Sequence, residues 1–367
     1  MTTEQTPDVK QYNRIKLVVS LTGTAVSFLL LLLMLFTGFT VTVESYCYSV
    51  STHSYLALIL FSAILGIINS VVSFPFSLYS GFLLEHQYRM SNQTFLQWLW
   101  ENFKGMLVSI PIMLPLLLIF YFFLSELKTL WWLPAGVTLF IFSIGLSRIA
   151  PTFILPLFYQ LTPLENSALK EKILALTKAT KMTVQGIFVF NLSKTTKKAN
   201  AAFTGIGKSK RILLGDTLVD SFSPDEIETV FAHELGHYVH GHIWKNILAG
   251  TLSIFLGLYL TSEAYSASLS WFGFSSESQL AALPLLLLWL GVYSIVTSPA
   301  GNILSRKYEF EADRYAIHTT KNKEAFISTM NKLAAMNLAD TQPHPLVEFL
   351  FYSHPSIEKR IIAAENL

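Results

Sequence analysis

Residues 280–304 read LAALPLLLLWLGVYSIVTSPAGNIL, a run without a single Asp, Glu, Lys or Arg. As a helix it would rise about 37 Å at 1.5 Å per residue, more than the roughly 30 Å of hydrocarbon in a bilayer, so it predicts a transmembrane span. Five further runs of this kind precede it: Leu17 to Val43, Tyr55 to Leu84, Gly105 to Leu124, Leu130 to Ser147, and Ile247 to Ser262, whose helix can run on through Ala264 to Ala267. Composition agrees. Of the 367 residues 52% are hydrophobic and only 14% charged, and the mean hydropathy is +0.46; an ordinary soluble domain carries roughly 25% charged residues. This balance excludes a soluble globular domain, a disordered chain and a nucleic-acid-binding protein. The first run is too long for a cleavable signal peptide, and no small-residue cleavage site follows it.

Six spans leave both termini on one side of the membrane, together with residues 85–104, 160–246 and 305–367. Those segments hold 24 of the 26 Lys and Arg residues; Arg148 closes the fourth span on the same side, and Lys128 alone lies opposite. By the positive-inside rule that side is the cytosol. The expected organisation is four spans in residues 1–159, a cytosolic segment at 160–246, two spans in 247–304, and a cytosolic C-terminal segment at 305–367. Pro75, Pro111, Pro115, Pro134, Pro284 and Pro299 fall within spans and are expected as kinks repaired by neighbouring helices, with Asn69 as a polar link between helices.

In the first large polar segment, Leu164 to Thr180 has the pattern of an amphipathic helix. Gln185 to Asn191, Asn200 to Thr204 and Arg211 to Leu214 read as short strands, punctuated by Gly205, Gly207 and Gly215. Thr195 to Lys198 reads as a solvated basic turn. Ser223-Pro224-Asp225-Glu226 then opens a helix, with Ser223 as N-cap, Pro224 at the first helical position and Glu226 closing a capping box.

That helix carries His233-Glu234-Leu235-Gly236-His237. Two imidazoles four residues apart project from one helix face and can hold one metal ion, while Glu234 is placed to take a proton from a water held there, the pattern of a metalloprotease. The single cysteine, Cys47, excludes an internal disulfide framework and a thiolate cluster, so histidines and carboxylates must hold any metal. A catalytic site takes three protein ligands and leaves one position open. The third comes from the run after the sixth span, where Glu309 and Asp313 share a helix face: Glu309 for the metal, Asp313 to accept the N–H of a ligating histidine, and Glu311 pointing elsewhere.

Taken with Phe74-Pro75-Phe76-Ser77-Leu78-Tyr79, Asn200-Ala201-Ala202-Phe203-Thr204-Gly205, Leu213-Leu214-Gly215-Asp216-Thr217-Leu218 and Tyr352-Ser353-His354-Pro355, these motifs run in order over most of the chain from about residue 60. The sequence so read resembles the type I CAAX prenyl endopeptidases, integral-membrane zinc metalloproteases of the gluzincin type. The resemblance implies one zinc ion per chain on His233, His237 and Glu309, with Glu234 as general base and His354 assisting the oxyanion. It further implies that Asn200, Ala201, Ala202 and Phe203 form an edge strand pairing with an extended peptide. Its implied fold is mostly α, about six transmembrane helices around a chamber, with a cytosolic zinc-protease domain containing a small β-sheet at one end. The expected partners are a peptide or protein substrate, lipidated or otherwise hydrophobic, and the bilayer, but no nucleic acid. The family's eukaryotic members have seven spans; one near the N-terminus is lacking here, which would leave the chamber more open. With no retrieval signal at Ala364 to Leu367, a bacterial inner membrane is expected rather than the endoplasmic reticulum.

The remaining histidines are expected in structural roles: His240 and His242 in polar packing near the membrane surface, His53 and His86 at the interface, and His318 and His344 without a named partner. Two other functions use similar residues. A site-2-type intramembrane protease would place HELGH inside a hydrophobic span, whereas here Asp225, Glu226, Glu228 and Lys245 surround it. A transporter or channel with a structural metal site would carry paired ionisable residues in mid-span, and none of the six runs has them.

Overall fold

The computed structural model describes residues 7–180, 184–204 and 211–367. Among them, six helices are long and apolar enough to cross a membrane: Val9–Phe36, Ser54–Gln87, Phe95–Glu126, Lys128–Phe158, His242–Phe272 and Leu280–Thr320. The number matches the sequence expectation, but some boundaries do not. The first run breaks after Phe36 at a left-handed Gly38 (φ 68°), and a 12-residue helix, Phe39–Val50, follows. At about 18 Å this helix is too short to cross. It packs Val43 and Cys47 against Ala57, Leu58 and Phe61 of the second span instead. An apolar run conceals such a break because one glycine does not interrupt its hydropathy. The third helix starts ten residues before the apolar run, at a capping box in which Thr94 Oγ1 accepts from Gln97 N–H (3.3 Å) and Gln97 Oε1 from Thr94 N–H (2.8 Å).

Pro75, Pro111, Pro115 and Pro299 all lie inside continuing helices, while Pro284 occupies a first helical turn. Asn69 is exposed and has no side-chain hydrogen bond, so it is not the expected polar link. Spans two to six together line an apolar cavity of about 820 Å³, with Ala63, Leu117, Phe120, Ala135, Leu258 and Leu290 among its walls.

The sixth span is part of a single 38-residue helix, Leu283–Thr320. Its length of about 57 Å exceeds any bilayer, so its last turns stand beyond the apolar run and carry residues 305–320 into the polar end of the molecule.

There a four-stranded sheet forms from β1 (Leu161–Pro163), β2 (Gly186–Phe190), β3 (Ala201–Thr204) and β4 (Arg211–Gly215), in the order β1-β2-β4-β3. β2 and β4 run parallel and the outer pairs antiparallel, so β3 is an edge strand. Three of these strands are readable in the sequence. β1 is not, because it has three residues and ends in a proline. Gly205 and Gly207 lie outside the described residues. The amphipathic helix forms at Ser167–Ala179, with Asn166 as its N-cap, and covers one face of the sheet through Leu169 and Ile173.

The motif helix, Pro224–Val239, starts at the expected capping box: Ser223 Oγ accepts from Glu226 N–H (3.3 Å), and Glu226 Oε2 from Ser223 N–H (2.7 Å). Ile227, Phe231 and Leu235, four residues apart, are buried with Ile212 and Leu214 of β4. Burying this stripe, worth roughly 1.5–3 kcal/mol for each large side chain, fixes the rotation of the helix and turns His233 and His237 away from the sheet.

Candidate metal centre

The turned-out face of the motif helix meets the far end of the long Leu283–Thr320 helix. A Cβ added at Gly236 would lie 2.9 Å from Ala312 Cα and 3.1 Å from its carbonyl oxygen, so the contact requires glycine on one helix and a small residue on the other. This close approach sets Glu309 opposite the two histidines.

His233 Nε2 lies 3.2 Å from His237 Nε2 and 3.4 Å from Glu309 Oε2, and His237 Nε2 lies 3.3 Å from Glu309 Oε1. Ligands at about 2.0–2.1 Å from a tetrahedral ion are separated by about 3.3 Å, so the three donors already stand at the spacing of a tetrahedral face. Glu309 is buried, and its Oε2 has no hydrogen bond of good geometry. Around the site the carboxylates of Glu309, Asp313 and Glu234 stand against one cation, Arg360, leaving an excess of two negative charges that a divalent ion balances. The donor set and the charge both fit a metal ion.

Asp313 accepts from His233 Nδ1–H at 2.9 Å, so the proton sits on Nδ1 and the Nε2 lone pair faces the site. Burial alone would lower the His233 imidazole, but Asp313 and Glu309 outweigh it and hold it up to about 9. These carboxylates attract positive charge to this point, proton or metal. Asp313 is in turn held by Arg360, whose Nε and Nη2 donate to its two oxygens at 2.8 and 2.5 Å.

Glu234, Asn200, Ala201 and His354 line one cavity of about 300 Å³ with His233 and Glu309. His354 sits at its rim, its side chain 64% exposed and its Nδ1 2.9 Å from Glu309 Oε2. Thus the structure brings together His233, Glu234, His237, Glu309, Asp313 and His354 from three distant segments. Along β3 only the start faces the cavity. Phe203 turns into the core near Phe231, ring centroids 6.5 Å apart.

Three residues escape the sequence reading. Arg360 carries no motif, and only its place in the first turn of the C-terminal helix Ile357–Glu365, six residues after His354, brings it in. Glu311 points away from the metal donors as expected, but toward His242, which is not at the membrane surface as expected but buried, 2.9 Å from His237 Nδ1 on one side and 2.9 Å from Glu311 Oε2 on the other. The signal available was the spacing of His242 from His237 across Gly241, which has a left-handed φ of 68° and reverses the chain between two helices. His240 is exposed and away from the metal donors, as expected.

The sequence pattern of peptidase family M48 matches residues 163–367, and that of the CAAX prenyl protease N-terminal region, five membrane helices, matches residues 1–160. An uncharacterized metalloprotease of Bacillus subtilis, YhfN, is 32% identical over 97% of this chain and 84% of its own length. CAAX prenyl protease 1 of Saccharomyces cerevisiae is 31% identical, over 83% of this chain and 71% of its own. Among solved structures, the crystal structure of S. mikatae Ste24p matches with a TM-score of 0.86 at 27% identity, covering 98% of this chain and 88% of that one. These matches favour neither a site-2-type protease nor a transporter, and the motif helix lies outside all six spans. With its spans, a cluster of three side chains that could hold a metal ion, and these relatives, the chain belongs to peptidase family M48 as a multi-pass membrane metalloendopeptidase of the CAAX prenyl protease family.

Proposed function

We propose that the chain binds one zinc ion on His233, His237 and Glu309 and hydrolyses peptide bonds in hydrophobic, prenylated or membrane-associated proteins. The observation that carries this reading is the 3.2–3.4 Å spacing of the three donors, with Glu234 lining the same cavity. Two imidazoles and a carboxylate suit zinc, and three protein ligands leave a fourth position open. Zinc, when bound, supplies Lewis-acid polarisation of the scissile carbonyl and of water. Glu234 takes the proton from the attacking water and passes it to the leaving amine nitrogen. His354, at the rim with its Nδ1 beside Glu309, donates a hydrogen bond to the oxyanion as it develops. The free edge at Asn200, Ala201, Ala202 and Phe203 holds the substrate extended through backbone hydrogen bonds, so sequence preference is set elsewhere.

The distribution of Lys and Arg supports a cytosolic position for the termini and the active site. In this reading residues 1–159 and 247–304 embed the enzyme, and 160–246 and 305–367 form its catalytic end. The yeast relative is named for prenylated CAAX substrates, and the 820 Å³ apolar cavity between the spans would accommodate a lipid or apolar side chain. The likeness to the Bacillus subtilis metalloprotease, over 97% of this chain, supports a bacterial membrane rather than the endoplasmic reticulum.

Purified Glu234→Gln protein should retain one zinc per chain and lose about 10²–10⁴-fold in kcat on a farnesylated C-terminal peptide. Wild-type turnover in that variant would remove Glu234 as base. Equal kcat/KM for the same peptide with and without its farnesyl group would remove the lipidated substrate class while leaving the peptidase intact.

A further inference from the structure

His233 and His237 must both present Nε2 to the ion, yet their Nδ1 atoms meet different partners. A neutral imidazole has one N–H and one lone pair, so a ligating Nε2 requires the proton on Nδ1 and an acceptor for it. His233 finds the Asp313 carboxylate directly. His237 Nδ1 instead faces His242 Nδ1 at 2.9 Å, a contact whose direction is not fixed by the pair alone. The far side of His242 fixes it. His242 Nε2 lies 2.9 Å from Glu311 Oε2, and an ionised carboxylate only accepts. The His242 proton therefore sits on Nε2, its Nδ1 is a lone pair, and that lone pair accepts from His237 Nδ1–H. We infer that Glu311 and His242 act as positioning residues: a carboxylate–imidazole relay that sets the tautomer of His237 and so completes the metal site.

The surroundings hold His242 for this task. It is the first residue of its helix, turned back against His237 by the left-handed Gly241, and it stacks nearly parallel on Tyr308, centroids 4.2 Å apart at 14°. Tyr308 directly precedes Glu309, so the ligand and the support for the relay are fixed by one turn of helix. Lys245 Nζ, 3.9 Å from Glu311 Oε2, favours the charged carboxylate but takes no part in the hydrogen-bond chain. Each ligating imidazole is thus oriented by a carboxylate, one directly and one through a second imidazole. Outer partners of this kind typically hold 10–100-fold of metal affinity.

The inference rests on the metal site proposed above, and zinc affinity of the full-length detergent-solubilised protein, measured by chelator competition, tests the two separately. In Glu311→Leu the acceptor is lost, and affinity should fall about 10–100-fold. Glu311→Gln, whose side-chain carbonyl still accepts from His242 Nε2–H, should stay within a few-fold of wild type. His242→Phe keeps a ring against Tyr308 but loses both nitrogens, and should match Glu311→Leu. Lys245→Met should leave affinity unchanged. In cobalt-loaded protein the visible absorption bands should shift in Glu311→Leu and His242→Phe but not in Glu311→Gln, a signature that a packing role would not produce. Wild-type affinity and cobalt spectrum in Glu311→Leu and His242→Phe alike would overturn the relay. A wild-type chain that binds no stoichiometric zinc would instead overturn the site on which it depends.

Discussion

At Gly257, in the fifth span, an added Cβ would meet the Tyr293 ring at 2.5 Å, whereas at Gly236, in the motif helix, it would meet backbone, the Cα of Ala312 at 2.9 Å. The two glycines serve the same purpose, letting helices approach, but their neighbours differ in how far they can yield. Helices in lipid gain little from burying apolar surface against one another and pack by fit between small residues and larger side chains, which can readjust. The polar end adds to its own apolar core ion pairs and hydrogen bonds between segments far apart in sequence, Arg360 with Asp313 and Lys332 with Glu226 among them. A small displacement there separates the three candidate metal donors, which stand 3.2–3.4 Å apart. The contrast implies that the spans tolerate change that the metal centre does not.

The severest test removes Arg360. Its guanidinium is buried and spans both oxygens of Asp313, so Arg360→Leu leaves a buried carboxylate without its counter-charge, at a cost of about 3–5 kcal/mol. His233, oriented by that carboxylate, should lose its alignment as well, and metal affinity should fall at least 10-fold. Thermal unfolding and metal titration check the two effects. An unchanged midpoint would mean that charge does not hold this end of the molecule together, and the contrast with the spans would fail.

The same substitution in both regions sharpens the comparison. Gly236→Ala must push the motif helix from the long helix, because the atom in the way is main chain; about 1–3 kcal/mol of overpacking is expected, together with weaker metal binding as Glu309 recedes from the histidines. Gly257→Ala meets a ring whose hydroxyl donates to the Ser253 carbonyl oxygen at 2.9 Å, and it should cost stability without changing metal affinity. Equal loss of metal binding in the two variants would show that the spans and the site form one rigid body.

What the sequence disclosed follows the same division. The spans were legible because lipid demands about 20 apolar residues in a row, a one-dimensional signal, but hydropathy does not mark helix ends: at Gly38 the helix breaks inside an apolar run, and at Phe95 and Thr320 it extends through charged residues beyond one. His233, Glu234, His237 and the Glu309 to Asp313 pair were legible because helical periodicity places each set on one face. Arg360 was hidden because a cation 47 residues from its carboxylate follows no period. His242 was hidden for a different reason: the left-handed turn at Gly241 reverses the chain, so helical spacing counted onward from His237 no longer predicts direction.

The smallest effect tests whether charge also holds the catalytic end at a distance from the metal. Burial alone would raise the Glu226 carboxyl, but Lys332, the Ser328 hydroxyl and the Ser223 N–H, at 2.7, 2.6 and 2.7 Å, hold it below the ordinary carboxylate range. In the unfolded chain the same group titrates at about 4.3. Because the folded value lies lower, the unfolded chain binds more protons in acid; the stabilisation is complete above about pH 4.3 and is lost as pH falls through the folded value. Glu226→Gln, which also weakens the cap of the motif helix, should cost about 1 kcal/mol at pH 7. In metal-free protein, where acid release of the ion cannot contribute, its unfolding midpoint should converge on that of wild type as pH approaches 3. Parallel curves across that range would mean that the carboxylate is no better stabilised folded than unfolded, and that its buried contacts act through shape, as contacts between the spans do.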